Sequence, residues 1–366
     1  MASATPSAAA GAAAGQKPVL ALAMGDPAGI SFELTARLLA DPECRDAATY
    51  IVIGDARALA EGARIAGLTV EIPVWRPGSN SELDLSRGAV LVDLGHLDPA
   101  TMTTGESSQA GGAFALRNFR AVLRLARAGA ADAVTFTPFN KHAMRLAWPA
   151  YVDEIEIITE DLGGGPGREF NILPDLWNAR ITSHVPLSKV ASLITREAVL
   201  NGILLTDRCM KEAGFANPRI AVAALNPHAG DGGNFGHEDD AEIAPAVAEA
   251  KTRGVLCEGP FPSDTVFVRA TRGDFDAVQT MFHDQGQIAM KLIGFDKGVT
   301  MIGGYTVPVC TPAHGTAYDI AGRGKANLGA TRQAMLVAAR MAKPRRATAA
   351  ERAAALETAS ESTAGA

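Results

Sequence analysis

The segment AVQTMFHDQGQIAMKLIGF, residues 277–295, places His283, Asp284 and Lys291 where an apolar run stops. An imidazole, a carboxylate and an ammonium this close in sequence can bind a metal, orient a ligand and neutralise an anion. Two further histidines share the setting: His184 closes the β-like run of ARITSHVPL, and His228 that of VAALNPHAG. Neutral imidazole suits Zn²⁺ and similar borderline ions. Three protein ligands with one open position is the catalytic arrangement for zinc. Asp264, in FPSDTVF, and Asp284 are placed to orient such rings or to add oxygen ligands. The spacing contains no HxxxH pair, so a second reading stands beside the first, in which each histidine is a hydrogen-bonded loop residue.

Other polar clusters are open in the same way. GDPAG can present backbone N–H groups to an anion or serve only as a tight turn. GDGGNFGHEDD is a flexible glycine-rich loop without the GxGxxG or GxxxxGK[ST] spacing of a nucleotide fingerprint. Lys141, in PFNKHAM, and Lys291 are substrate cations or ordinary solvated lysines. HGTAYDIAGRGKAN, residues 314–327, has the glycines and the asparagine of a loop able to approach a flat or anionic ligand closely.

These clusters need elements to position them. PVLALAMGD, TYIVIGD, GAVLVDLG, DAVTFTP, RIAVAALNPHAG and FDAVQTMFHD read as strands. SFELTARLLAD, ARALAEGARIAGL, GGAFALRNFRAVLRLARAGA, EIAPAVAEAKTRG and TRQAMLVAARMA read as helices. Short apolar strands alternating with helices predict an α/β, doubly wound fold with a largely parallel sheet. In such sheets ligands bind outside the carboxyl ends of the strands, which is where the polar clusters fall.

Composition narrows the class. The chain has 366 residues, 47% hydrophobic and 5% aromatic, with a formal net charge of −6. No basic stripe points to nucleic acid. No apolar run reaches the roughly 20 residues of a membrane span. Residues 1–17 are Ala-rich, lack the n- and h-regions of a signal peptide, and read as a disordered tail. Residues 344–366 read as a second tail, with at most a short exposed helix in AAERAAALE. Cys44, Cys209, Cys257 and Cys310 are scattered without a CxxC pair. That suits reduced, buried packing residues and a cytoplasmic enzyme.

MGDPAGI, TPFNK, SHVPL, LNPHAGDGG, GPFPSDTVF, FHDQG with Lys291 behind it, and HGTAYDIAGRGKAN together resemble the 4-hydroxythreonine-4-phosphate dehydrogenase family. They run in family order over nearly the whole chain between its tails. The last stretch is also similar to the cofactor loop of isopropylmalate and isocitrate dehydrogenases. The resemblance implies two α/β/α subdomains with a cleft between them, 18–140 plus 302–343 and 141–301. It implies NAD- or NADP-dependent oxidation of a secondary alcohol, one divalent ion (Zn²⁺ first, with Mg²⁺, Mn²⁺, Co²⁺ or Ni²⁺ as alternatives), and a homodimer with shared active sites. The family's metal ligands fall on His184, His228 and His283, and its substrate lysine on Lys291. Its cofactor loop falls on His314, Gly315, Thr316, Gly322, Gly324 and Asn327.

The departures bear on substrate. The family's phosphate-binding His-Thr pair is replaced by Glu154 and Ile155, an Asn by Thr300 and an Arg by Val309; GIGPE has become GISFE. A carboxylate facing a phosphate would repel it. This points to an unphosphorylated diol or hydroxy acid, such as a carboxylated cis-dihydrodiol. The alternatives are a phosphorylated hydroxy acid, acyl transfer on a related architecture, or a binding protein that kept the fold. On the dehydrogenase reading the alcohol proton passes to Asp264 or Lys141, directly or through water, and hydride goes to the nicotinamide. Loss of CO₂ follows if a carboxylate lies β to the new ketone, with Lys291 facing the charge that develops.

Overall fold

Apolar runs bounded by Gly, Pro and Asp become strands because a chain buried on both faces needs no polar alternation. The computed structural model describes residues 17–165, 167–294 and 297–361. The tail expected at 1–17 lies outside them except for Lys17. In chain order the strands are β1 (Val19–Ala23), β2 (Thr49–Gly54), β3 (Val74–Trp75), β4 (Ala89–Asp93), β5 (Ala133–Phe136), β6 (Arg168–Leu173), β7 (Leu176–Arg180), β8 (Ile220–Ala223), β9 (Cys257–Phe261), β10 (Ala277–Thr280), β11 (Val299–Gly303) and β12 (Val309–Pro312).

Two compact units result. One holds Pro18–Gly167 and the described residues from 297 onward, with strand order β3-β4-β2-β1-β5-β12-β11. All its pairings are parallel except β11 with β12. Its core gathers Val19, Ile51, Val90, Phe119, Val134 and Val309. The other, Arg168–Phe295, has the order β6-β7-β10-β8-β9, with β6 and β7 antiparallel and the rest parallel. Its core includes Leu173, Ala221, Val266, Phe275 and Val278.

Helix ends follow local chemistry. Asp55 caps the helix Ala56–Ala66 by accepting from Arg57 N, and Gly67, at φ 66°, closes it in the left-handed region. Ser108 caps Gln109–Arg127 through Gly111 N at 3.1 Å.

Three expectations change. The second unit begins at Arg168, not at 141. The helices Lys141–Ala147 and Glu154–Leu162 belong to the first unit. Arg120 and Arg124 of the long helix hold Asp161 at 2.9 and 3.0 Å, so residues up to 162 are fastened there. The antiparallel hairpin β6–β7 also departs from the largely parallel expectation.

The C-terminal segment, as far as residue 361, is not a tail. Ala349–Glu361 is a helix with Leu356 fully buried in the first unit's core and Arg352 2% exposed, donating to Ala130 O. Glu357 accepts from Gly78 N at 2.8 Å. Leu356→Ala should therefore destabilise the protein by roughly 2–5 kcal/mol, read as a lowered denaturation midpoint. A wild-type midpoint would mean the helix contributes nothing.

Candidate active site

In the second unit β7, β10 and β8 are parallel neighbours, and each runs on into a segment that carries a histidine. His184 follows the end of β7, His228 the end of β8 and His283 the end of β10. His283 does not close the strand, as FDAVQTMFHD suggested, but opens the helix His283–Gly294. Hydrogen bonding continues past the strands: Ile181 N donates to Thr280 O at 2.9 Å and Thr182 N to Met281 O at 3.0 Å. Thr182 Oγ1 donates to the same Met281 carbonyl at 2.8 Å. The two segments therefore leave the sheet side by side, and the His184 and His283 ring centroids lie 5.7 Å apart. His283 Nδ1–H donates to Asp284 Oδ1 at 2.6 Å. With the proton on Nδ1, Nε2 carries the lone pair a metal would need.

His228 stands in an unusual turn. His228, Ala229, Gly230, Asp231 and Gly232 take φ of 53°, 54°, 81°, 45° and 63° in succession. Each non-glycine residue there costs roughly 1 kcal/mol or more. The wholly buried Asp239 holds the approach to this turn. Its carboxylate accepts from Leu225 N at 2.8 Å, Asn226 N at 3.1 Å and Asn226 Nδ2 at 2.9 Å.

Imidazoles with an available nitrogen are the right donors for a borderline divalent ion. A single chain pairs only two of them: among the described residues no three His, Cys, Asp or Glu side chains are close enough to hold an ion. Asp264 is exposed in the first turn of the helix Ser263–Thr271, and Lys291 is exposed on His283–Gly294.

In the first unit β1, β5 and β12 are parallel neighbours, and their carboxyl ends lead into MGDPAG, TPFNK and HGTAYD. Gly25 N donates to Thr137 Oγ1 at 2.9 Å, and Asp26 N to Pro138 O at 2.9 Å. Asp26, 1% exposed, accepts from Tyr318 Oη at 2.6 Å and from Ala28 N at 2.8 Å. Burial raises its pKa, outweighing these two bonds. The Tyr318 hydroxyl is pushed up by its own burial and then by Asp26. GDPAG thus acts as a turn that ties three segments together.

The cofactor-loop residues have distinct settings. His314 Nδ1–H donates to Gly315 O at 3.0 Å, and Gly315 and Gly322 are exposed. Thr316 is buried, and its carbonyl accepts from Ile30 N at 3.1 Å. Gly324 has φ 67°, and a Cβ there would lie 2.8 Å from Ile65 O. Asn327 Oδ1 accepts from Gly329 N at 2.8 Å where the helix Gly329–Met341 begins. Glu33 and Arg37 escaped the sequence reading, yet they grip this loop. Glu33 Oε1 accepts from Ala326 N at 3.0 Å, and Arg37 Nη2 donates to Gly324 O at 2.9 Å. The legible signal was the Glu/Arg pair at i,i+4 in SFELTAR.

The substrate-pocket expectations need correction. Glu154 is not a lone carboxylate awaiting a ligand. Lys141 Nζ is 3.1 Å from its Oε2, and Tyr151 Oη donates to its Oε1 at 2.7 Å. Lys141 is accordingly engaged as well. Ile155 packs against the core, and Val309 is fully buried in it. Thr300 is half-buried on β11, opposite Thr311.

Polar segments gathered at the carboxyl ends of parallel strands, with paired imidazoles in one unit and a glycine-bearing loop in the other, mark an α/β enzyme that binds small ligands at its strand ends. The chain matches the family described as pyridoxal phosphate biosynthetic protein PdxA over residues 46–338, and it belongs to that family. It is 60% identical over 335 residues to the "Putative 4-hydroxythreonine-4-phosphate dehydrogenase 2" of Rhizobium meliloti (strain 1021), covering 91% of this chain and 95% of that one. It is 36% identical to the "Putative D-threonate 4-phosphate dehydrogenase" of Symbiobacterium thermophilum, covering 89% and 97%. The structure resembles a 4-hydroxythreonine-4-phosphate dehydrogenase from Burkholderia phymatum (TM-score 0.74, 33% identity, 90% of this chain and all of that one). Its likeness to a terephthalate 1,2-cis-dihydrodiol dehydrogenase from Burkholderia xenovorans LB400 is lower (TM-score 0.64, 25% identity, 88% and 98%).

The helix His283–Gly294 packs closely on the sheet at Gly286, where a Cβ would lie 2.1 Å from Asn178 Oδ1. Asn178 cannot yield freely: it is buried, and its Nδ2 donates to Val278 O at 2.9 Å. Gly286→Ala should cost roughly 1–3 kcal/mol and lower the divalent ion bound per chain, by displacing His283. Wild-type melting with full metal content would refute this.

Proposed function

We propose that the chain oxidises a secondary alcohol of a small phosphorylated hydroxy acid, with NAD or NADP as acceptor and one divalent ion held by His184, His228 and His283. The observation that carries the substrate class is the likeness to relatives named for phosphorylated substrates, at up to 60% identity over most of the chain. The unphosphorylated reading rested on Glu154 as a repelling charge and on Val309 standing where the family has an Arg. Lys141 and Tyr151 take up the Glu154 charge within its own unit.

An ion on these imidazoles would supply Lewis-acid polarisation of the reacting hydroxyl; Zn²⁺ suits the three-nitrogen set best. Asp284 fixes the His283 ring and its tautomer. Lys291, exposed on the same helix, offers an ammonium to an anionic substrate group. Asp264 is an exposed carboxylate available to take the hydroxyl proton, directly or by a water. The loop from His314 to Asn327, held by Glu33, Arg37 and Asp26, is the cofactor-binding segment. Four buried cysteines, none in a CxxC pair, suit a reducing compartment, the cytoplasm. No described helix is long and apolar enough to cross a membrane.

We also infer a homodimer whose sites are completed by the partner. Among the described residues His184 and His283 lie side by side, and no third His, Cys, Asp or Glu side chain joins them closely enough to hold an ion. Beside Lys291, the side chains of Ile288 and Leu292 are 61% and 84% exposed, an apolar surface expected to be covered.

Two experiments test these readings. NADH or NADPH formation at 340 nm should appear with 4-hydroxythreonine 4-phosphate or D-threonate 4-phosphate. It should be weaker by about tenfold or more with the unphosphorylated analogues, vanish with a chelator and return on adding Zn²⁺ or another divalent ion. Turnover confined to unphosphorylated diols would overturn the substrate class, and chelator-resistant turnover the metal. Mixing two inactive variants, His228→Ala and Lys291→Ala, should restore part of the activity after subunit exchange, because one of the two mixed sites then holds only wild-type residues. A monomer by light scattering would sink the dimer.

A further inference from the structure

Gln285 stands between two groups already discussed, His283 and Gly286, and neither the strand pattern nor the metal assignment gives it a task. Its side chain uses both ends. Oε1 accepts from Met281 N at 2.8 Å, at the end of β10. Nε2 donates to Ala224 O at 2.8 Å, just past the end of β8, and to Ser263 Oγ at 2.9 Å, at the start of the helix after β9. Ser263 Oγ in turn donates to Ala224 O at 2.7 Å. One amide and one hydroxyl thus close a ring of hydrogen bonds over three neighbouring strand ends.

Each of those ends leads directly to a group assigned to the site. Met281 precedes His283, Ala224 precedes the turn that carries His228, and Ser263 adjoins Asp264. Gln285 lies in the first turn of its helix, where backbone N–H groups have no intrahelical partner. Its bond to Met281 N fixes how the chain turns from β10 into that helix. Its bond to Ala224 O fixes the chain where β8 opens toward the strained turn at His228. An amide does this where a carboxylate cannot: a carbonyl on one side and an N–H on the other require one donor and one acceptor on the same side chain.

We propose that Gln285, with Ser263, is a positioning residue that fixes how the segments bearing His283, His228 and Asp264 leave the sheet, and so tunes the orientation in which each presents its group to a divalent ion. This rests on the assignment of those histidines as metal ligands. Outer partners of this kind typically change metal affinity by about 10–100-fold when removed.

The test uses Co²⁺ titration of chelator-stripped protein, read by isothermal calorimetry and by the visible d–d absorption of the bound ion. Gln285→Glu keeps the shape and the acceptor for Met281 N but faces Ala224 O with an oxygen. It should weaken Co²⁺ binding about 10–100-fold and alter the position or intensity of the d–d bands. Ser263→Ala, which keeps the amide, should show a smaller loss. A merely structural role would lower thermal stability while leaving the spectrum of the folded, loaded protein unchanged. If Gln285→Glu is folded by circular dichroism and has wild-type affinity and spectrum, the proposal is wrong. If it does not fold, Ser263→Ala decides on the same readouts. Failure of the wild-type protein to bind Co²⁺, with His228→Ala indistinguishable from it, would overturn the metal assignment and this inference together. Wild-type binding with unaffected variants overturns this inference alone.

Discussion

Parallel strand pairing is the constraint on which this protein rests. Parallel neighbours need crossover connections, so their carboxyl ends all open on one edge of the sheet, however far apart they lie in sequence. In one unit this brings together the segments after β7, β10 and β8; in the other, those after β1, β5 and β12. Outside the β6–β7 hairpin the strands are largely apolar. The backbone bonds that continue past them, such as Thr182 N to Met281 O, extend the order of the sheet into the polar segments. A second tier of side chains then takes over. Asp26, Glu33, Asp239 and Gln285 each bond to backbone groups of the segments that carry site residues, and so determine where those residues point.

This division of labour explains what could be read from sequence. The strands were legible as apolar runs, and the histidines stood out because each follows such a run. The antiparallel hairpin of β6 and β7 was not, because ARITSH begins in the middle of a strand and REFNIL mixes charge into the run before it. The C-terminal helix was hidden by composition. Ala-rich segments look like solvated tails, and only Leu356 and Arg352 betray the buried face. The pairing of Glu154 with Lys141 was invisible because it joins the first turns of two separate helices, a tertiary fact with no local periodicity. Read without its partner, Glu154 seemed to argue against a phosphate. Read with Lys141 and Tyr151, it is a carboxylate already satisfied within its own unit.

The two units are built to different standards of freedom at their loops. The loop from His314 to Asn327 is gripped at several backbone atoms, by Arg37 on Gly324 O, by Glu33 on Ala326 N and through Ile30 on Thr316 O. The segments that carry the histidines are gripped at their roots, while His184 and His228 themselves remain exposed. Exposed ligands on anchored roots can accept an ion without the sheet reorganising, since rotation about side-chain bonds costs far less than moving a paired strand.

The left-handed run at His228–Gly232 has a consequence for how this sequence can drift. A residue branched at Cβ would be expelled from positions 229 and 231, because steric crowding there penalises it more than it does the Ala and Asp present. Asparagine or glycine is tolerated, and proline, fixed at negative φ, is barred outright. The turn therefore acts as a filter on substitution that operates through backbone shape and is blind to chemistry. Neighbours of His228 that touch no substrate would stay confined to a small alphabet of residues even if the enzyme's substrate were to change.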